Sequence, residues 1–238
     1  MKPGLFYFLG LVFLFMVGGF LFLRSPYFSI REVTVDGCVA VSREEVLELA
    51  GIREGMNIFA VNLDKTREVL ECSPLIKTAD VKRELPSTIY IRIEERKPIA
   101  LVVSGGKLWL VDAEGKILGE DNGKIPGLVA IVGVSGSVST GSHLGGKEIE
   151  ALACVRAMGP LTRRVSSEIQ LRGDELVLLL KDGGALVYLG EADAGLEGRL
   201  ESLESVLSVL GPQDLPRVEY IELRYGKPSL RFRDQMVR

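Results

Sequence analysis

The sequence predicts an α+β protein in which an N-terminal transmembrane helix precedes two modules, the second a mixed α/β domain with a mainly antiparallel sheet. Three observations carry this prediction: the uninterrupted apolar run Leu5–Leu23, a change from helical to alternating period before Ala100, and repeated strand-turn-strand patterns up to Arg233. The expected division is a tail at 1–3, a helix at 4–23, a first module at 28–98, a second at 99–233 and a tail at 234–238.

The apolar run has the length of a membrane span. A helix rises about 1.5 Å per residue, so roughly twenty apolar residues cross the hydrocarbon layer. A cleaved signal peptide is the alternative, but it would have a shorter apolar core and a small-x-small site, whereas Arg24 and Pro26 follow here. Lys2 gives a weak positive-inside signal, which favours a cytoplasmic N-terminus and extracytoplasmic modules.

Composition excludes some classes of protein. The chain carries 29 Lys and Arg against 32 Asp and Glu, so no basic surplus indicates nucleic-acid binding. The three cysteines are too few for a disulfide framework, and no C-x-x-C motif occurs. Cys38 and Cys72 could pair in an oxidising compartment, but buried free thiols are the favoured interpretation.

The first module begins with a strand and a helix. Ile30–Asp36 alternates apolar and polar residues, which is typical of a half-buried strand. Ser42 and Glu45 form a capping box at the start of a short helix, and Gly51 stands where a left-handed C-cap is expected. This pattern predicts a strand followed by a short helix.

A second helix and two strands complete this module. Asn62 or Asp64 would cap the helix, which ends near Ser73. Alternation then resumes on both sides of a Pro86-Ser87 turn, with the isoleucines at 89, 91 and 93 on one face. The order β-α-α-β-β predicts two helices on one face of a three-stranded sheet.

These residues carry a resemblance to a known family. The stretches FSIREVTVDG and GMNIF, and above all RELPSTIYIRIEERKPIA at Arg83–Ala100, resemble the POTRA domain of the FtsQ/DivIB family of bacterial division proteins. Other POTRA proteins carry the module before a long β-barrel, for which this chain is too short.

The second module is predicted from turns and periodicity. Leucines at 196, 200, 203, 207 and 210 form one helical stripe, for which packing on the sheet is favoured over a zipper. The remaining predicted elements are a hairpin at Leu108–Leu118, a Gly/Ser-rich loop at 133–146, a helix at Lys147–Met158, strands at 165–172, 176–180 and 185–189, and closing strands at Val218–Arg224 and Ser229–Arg233.

The end of the chain, YIELRYGKPSLRF, is similar to the closing motif of the family, with Glu222 in place of its usual aspartate. The family implies that a partner adds an extended segment beside the last strand. The implied partner-binding residues are Arg224, Tyr225, Ser229, Leu230, Arg231 and Phe232.

Two of these residues have alternative roles. Arg224 would meet a partner carboxylate, or would only pair with Glu222 or Glu219; Tyr225 would anchor the partner, or would only pack against the turn. The apolar side chains of the last strand, Leu230 and Phe232, are expected to face the core.

No catalytic constellation emerges from the sequence. The single histidine, His143, has no nucleophile and orienting acid in a recognisable motif. Gly141–Lys147 matches a P-loop, but Glu148 replaces the Ser or Thr that would hold Mg²⁺, and its carboxylate would repel phosphates. We therefore predict no enzymatic activity, no cofactor, no metal, no small-molecule substrate and no nucleic-acid partner.

The resemblance implies a non-enzymatic, bitopic scaffold of the division complex in the inner membrane at the septum. It would bind FtsB/DivIC-like and FtsL-like bitopic division proteins through its extracytoplasmic part. The alternative is a POTRA-containing accessory of another envelope machine, in secretion or sporulation. A third class, an envelope hydrolase, would need the catalytic constellation that the sequence does not show.

Overall fold

The computed structural model describes residues 3–181, 184–211 and 213–233, and side chains from Tyr7 onward. Within the chain there are two compact units, Met1–Arg96 and Lys97–Arg238. The two predicted tails lie wholly or partly outside the described residues.

The first unit opens with helix α1 (Pro3–Leu23). All of its described side chains, from Tyr7 to Leu23, are exposed. Within the part of the chain that the structure describes, no helix combines the length and the apolar character needed to cross a membrane. The transmembrane helix predicted at 4–23 is therefore not supported by these residues.

The β-α-α-β-β order of the first module is confirmed. Its elements are β1 (Glu32–Asp36), α2 (Arg43–Ala50), α3 (Leu63–Cys72), β2 (Ile76–Glu84) and β3 (Thr88–Glu95). The strands form one sheet in the order β1-β3-β2, with β1 parallel and β2 antiparallel to β3. Ile89, Ile91 and Ile93 are buried against α2 and α3, as predicted.

The helix boundaries follow from local capping. The Ser42 hydroxyl accepts a hydrogen bond from the Glu45 N–H at 3.1 Å, and Gly51 ends α2 at a φ of +64°. The choice left open for α3 is settled by Asn62, whose side chain accepts from the Lys65 N–H at 3.1 Å. These contacts satisfy N–H groups that a helix end cannot pair itself.

The second unit consists of a nine-stranded mixed sheet and three helices. Its strands are β4 (Pro98–Ser104), β5 (Lys107–Asp112), β6 (Ile117–Glu120), β7 (Val129–Val132), β8 (Ser166–Arg172), β9 (Glu175–Leu180), β10 (Leu186–Gly190), β11 (Val218–Glu222) and β12 (Ser229–Phe232). Its helices are α4 (Lys147–Ala157), α5 (Pro160–Val165) and α6 (Leu196–Val209).

The sheet order is β12-β11-β10-β9-β8-β7-β4-β5-β6. Pairing is parallel at β4–β7, β7–β8 and β10–β11 and antiparallel elsewhere, so the sheet is mainly antiparallel, as expected. The helices cover one face, where Ile131, Ile169 and the stripe leucines of α6 are buried. On the other face, residues such as Gln170 and Tyr188 are half-buried.

Several features differ from the sequence prediction. Strands β4 and β7 and the short helix α5 were not predicted; β7 has four residues, and α5 has six and begins at Pro160. The cysteines are free, as favoured, but only Cys154 is buried, while Cys38 is half-buried and Cys72 exposed. Burial raises the pKa of the Cys154 thiol to about 12, which keeps it protonated at neutral pH.

Candidate functional site

The candidate site is the outer side of β12, which we call the β12 edge. This strand stands at the end of the nine-stranded sheet, with only β11 beside it. A bulge on β11 between Val218 and Tyr220 shifts the register of the pair. An edge strand presents one row of backbone groups that its own sheet does not use.

The outward groups of β12 can be assigned from its ladder. Arg233 donates its N–H to the Arg217 carbonyl at 2.8 Å, so residue 233 faces β11. Backbone groups alternate in direction along an antiparallel strand, so those of Leu230 and Phe232 point away from the sheet. Among the described residues, none hydrogen-bonds to these outward groups.

The opposite end of the sheet is partly covered. The Gly/Ser loop covers β6, since Ile117 donates its N–H to the Ser142 carbonyl and accepts from the Gly141 N–H, both at 2.8 Å. The loop is therefore joined to the start of β6, where Lys116 and His143 form an isolated β-bridge. At the β12 end, by contrast, the described chain supplies no partner for the outward backbone groups.

The side chains of β12 divide unequally between core and solvent. Leu230 is half-buried and packs against the core, as expected. The same expectation is wrong for Phe232, which is 47% exposed. The physical reason lies in the β11 bulge, because Phe232 pairs with Val218 at that irregularity, where local twist is increased. Ser229 and Arg231 are exposed, and Arg231 pairs with Glu219 at 3.1 Å.

An apolar groove lies between α6 and β12, with a volume of about 440 Å³. Val206, Val209 and Leu210 form its helix side and Leu230 its strand side. Val209 is 85% exposed, which is unusual for a β-branched residue on a packed helix. The groove lies on the helical side of the β12 edge.

Arg224 does not point into solvent as a free cation. Its Nε and Nη2 atoms donate to the two carboxylate oxygens of Glu222 at 2.8 and 2.6 Å, and Nη1 donates to Glu175 at 2.9 Å. The hydrogen bonds to Glu222 and then Glu175 raise the pKa of the guanidinium, and the same bond lowers the pKa of Glu222. The pairing with Glu222 matches the alternative role of Arg224.

Aromatic rings surround this ion pair. The Arg224 guanidinium carbon lies 5.0 Å from the ring centre of Tyr188 and 5.4 Å from that of Tyr225. Tyr188 meets the edge of Tyr220 at 6.0 Å. Tyr225 itself is 80% exposed, so most of its ring is available to a partner.

Sequence reasoning missed three members of this cluster. Glu175 on β9, Tyr188 on β10 and Gly190 lie far from Arg224 in the chain. Gly190 has a φ of +78°, and a Cβ there would stand 3.0 Å from the Arg224 Cγ atom, so its glycine makes room for the arginine stem. No local pattern indicates these contacts, because they depend on the order of strands in the sheet.

The P-loop-like segment is engaged in structural contacts. Lys147 donates to the Gly173 carbonyl at 2.8 Å and pairs with Asp174, while the Glu148 carboxylate accepts from the Ser135 N–H at 2.8 Å. His143 is exposed. In the described ranges, no group of three or more His, Cys, Asp or Glu is arranged to hold a metal ion.

The fold thus defines a two-unit protein: a β-α-α-β-β module, and a mixed sheet that ends in an exposed strand. A model of the FtsQ-type POTRA domain matches residues 28–96, and a model of the C-terminal domain of the cell division proteins FtsQ/DivIB matches residues 100–224. The second match alone covers more than half of the 238 residues. The chain belongs to the FtsQ/DivIB family of cell division proteins.

Curated relatives agree with this assignment. The chain is similar to the cell division protein FtsQ of Myxococcus fulvus, with 29% identity over 200 residues, 81% of this chain and 69% of that protein. The FtsQ of Anaeromyxobacter sp. is 30% identical over 207 residues, 84% of this chain and 69% of that protein. The FtsQ of Rickettsia bellii is 35% identical over 111 residues, which span 47% of this chain and 42% of that protein.

One solved structure is also similar: the major extracytoplasmic domain of the trans isomer of the division protein DivIB from Geobacillus stearothermophilus. It is 14% identical and covers 49% of this chain and 95% of that chain, with a TM-score of 0.36. A TM-score this low is not evidence of a shared fold. The family assignment rests on the sequence matches.

Proposed function

We propose that this protein is a non-enzymatic scaffold of the bacterial division complex that binds an extended segment of another division protein along the β12 edge. The observation that carries the proposal is the pair of residues Leu230 and Phe232, whose outward backbone groups have no partner in the described chain. An added strand would supply those hydrogen bonds. The protein belongs to a family of cell division proteins, which supports a role in division.

The β12 edge also supplies contacts for side chains. Because side chains alternate along a strand, every second residue of the partner would enter the groove lined by Val209 and Leu230. The residues between them would lie beside Ser229 and Arg231. The partner segment is therefore expected to carry apolar residues at alternate positions. We propose FtsB/DivIC-like proteins as the direct partner, with FtsL-like proteins in the same complex.

Tyr225 and Arg224 have different parts in this proposal. The exposed ring of Tyr225 is the aromatic anchor, with an apolar body and a polar tip. Arg224 fixes the position of that ring, since its guanidinium joins Glu175 and Glu222 and stacks near Tyr225. Any contact of Arg224 with a partner carboxylate would use N–H groups that these two glutamates leave unpaired.

We further propose that α1 anchors the protein in the inner membrane at the septum, with a cytoplasmic N-terminus and extracytoplasmic domains. The apolar run Leu5–Leu23 supports this, because it contains no ionised side chain and has roughly the length of a bilayer span. The exposure of every described side chain of α1 is also consistent with a lipid environment.

Depletion of the protein in its own bacterium tests the role in division. The expected result is filamentous cells that form no completed septa. Normal cell length after depletion would reject the proposal and favour an accessory of a secretion or sporulation machine.

Co-purification tests the site. The full chain with Tyr225→Ala should retain less of an FtsB/DivIC-like partner than the wild type, because the substitution removes the exposed ring. The control is Val39→Ala, which removes a highly exposed apolar side chain from the first unit. Equal recovery with all three chains would remove Tyr225 from the binding site.

A further inference from the structure

A turn in the first unit exposes apolar side chains beside the end of α1. Phe59 lies in a 3-10 turn at Ile58–Ala60 and is 41% exposed, and Met56 just before it is 37% exposed. We call residues 56–59 the 56–59 turn. Large apolar side chains grouped in one exposed turn commonly mark a contact surface.

Hydrogen bonds hold this turn against the end of α1. The Asn57 side-chain nitrogen donates to the carbonyl of Leu23, the last residue of α1, at 2.7 Å. The Met56 carbonyl accepts from the Ile30 N–H at 2.8 Å. The turn is thus joined both to the last residue of α1 and to the segment that follows α1. These bonds fix the position of the turn beside the C-terminal end of the helix.

Aromatic rings fill the space between them. Phe28 is buried and meets Phe22 of α1 edge-on at 5.3 Å and Phe59 at 5.1 Å. Tyr27 lies 5.1 Å from Phe28 and is itself 54% exposed. A chain of ring contacts therefore joins Phe22 of α1 through Phe28 to Phe59 in the turn.

We infer that the 56–59 turn contacts the phospholipid bilayer at the level where α1 leaves it. The inference rests on the membrane insertion of α1 proposed above. Tyrosine and tryptophan rings concentrate at the boundary between hydrocarbon and head groups, and Leu23 followed by Arg24 and Tyr27 marks that boundary on the chain. Asn57 is bonded to Leu23, and Phe59 packs on Phe28 beside it, so the turn is held next to this boundary. The occupant of this surface is lipid, and the first domain is held on the membrane by two contacts.

Tryptophan fluorescence in vesicles tests this contact. The full chain is reconstituted in phospholipid vesicles that contain lipids brominated high on the acyl chain, which quench tryptophans they touch. Phe59→Trp places a probe in the turn, and Met56→Trp gives a second probe if the first chain fails to fold. The wild type, whose one tryptophan is Trp109, supplies the background.

The matched control is Val39→Trp. Val39 is 92% exposed in the same unit, but it lies past the far end of β1, about 13 Å of strand away from the turn. The fluorescence of the tryptophan at position 59 should be quenched about twofold more than that of the tryptophan at position 39.

Two results would overturn the inference. If the wild type floats with the vesicles but tryptophans at 56 and 59 are quenched no more than at 39, α1 inserts and the turn does not touch lipid. If the wild type does not float, insertion of α1 fails and the inference fails with it. Neither result bears on partner binding at the β12 edge, which is measured separately.

Discussion

The two units each expose an edge strand, but only on one of them does another part of the chain occupy an outward backbone group. On β2, the Ala79 N–H donates outward to the Glu71 carboxylate of α3 at 3.0 Å. On β12, the outward groups of Leu230 and Phe232 have no such partner among the described residues. The difference teaches that exposure alone does not make an edge strand a binding site; its backbone groups must also be unoccupied.

The side chains of the two strands show the same contrast. Strand β2 alternates its buried residues with the charged side chains Lys77, Asp80, Lys82 and Glu84, a composition that discourages strand addition. Strand β12 reads Ser-Leu-Arg-Phe, with an apolar groove beside it. One edge is built against pairing, and the other is suited to it.

The largest effect is expected from Phe232→Pro. Proline removes the outward N–H and places its ring where an added strand would lie, while the N–H groups that pair with β11 remain. Affinity for the FtsB/DivIC-like partner should fall about a hundredfold, or about 2.7 kcal/mol, in a calorimetric titration.

Its control is Phe232→Ala, which keeps the N–H and loses only the ring. The alanine chain should bind clearly better than the proline chain. Equal losses in both chains would mean that side-chain contact, and not the backbone of β12, holds the partner.

Arg224→Ala tests whether the arginine stabilises the open edge. It leaves Glu175 and Glu222 without their shared cation, so the free energy of unfolding should fall by about 2 kcal/mol in denaturant titrations. Lys107→Ala is the control, because it breaks an exposed ion pair with Glu120 and should cost less than about 0.5 kcal/mol.

A different outcome would reassign Arg224. If Arg224→Ala costs no more stability than Lys107→Ala but still loses the partner, the guanidinium contacts the partner directly. That result would support the sequence interpretation over the structural one.

Glu95→Gln tests how the first unit holds the loop that follows its other edge strand, β1. The Glu95 carboxylate accepts backbone N–H groups of Val39, Ala40 and Val41 at 2.8 to 2.9 Å. Burial acts to raise its pKa, but these three bonds together lower it. At pH 7 the substitution should cost about 1.5 kcal/mol of unfolding free energy.

The pH dependence has a definite sign. Because the folded-state pKa of Glu95 is lower than the unfolded value, its stabilisation is present above the unfolded pKa and is lost as pH falls through the folded pKa. The difference in unfolding free energy between the wild type and Glu95→Gln should therefore become smaller below about pH 4.5.

The smallest effect is expected from Glu71→Ala, which uncovers the Ala79 N–H on β2. The free energy of unfolding should fall by about 1 kcal/mol, and the Ala79 amide should exchange its hydrogen faster. Glu68→Ala, on the exposed side of α3, is the control. If the two substitutions give the same exchange rate at Ala79, Glu71 does not protect the edge.

Local signals made much of the fold predictable. The Ser42 capping box, the Gly51 C-cap and the alternating isoleucines of β3 each act within a few residues, and the structure has these elements where the patterns place them. The last strand was predictable for the same reason, from the turn and alternation that precede the C-terminus. Such signals are short-range because capping and alternation are properties of one element.

The candidate site was only partly predictable. Arg224 and Tyr225 came from resemblance, but the contact of Arg224 with Glu175 depends on β9, β10 and β11 being neighbours, which no local pattern encodes. Phe232 was misplaced because alternation assumes a regular strand pair, whereas β11 carries a bulge opposite it. No local pattern indicates that Glu95 holds a loop of residues distant from it in the sequence.

The shortness of β12 limits how tightly any segment can be held there. Four residues offer outward groups at only two positions, and each net hydrogen bond contributes about 1 kcal/mol. Backbone pairing alone would give a complex that forms and dissociates readily. A septal assembly built on such contacts could be remodelled as the ring constricts, with its lifetime set by the side chains that accompany the strand.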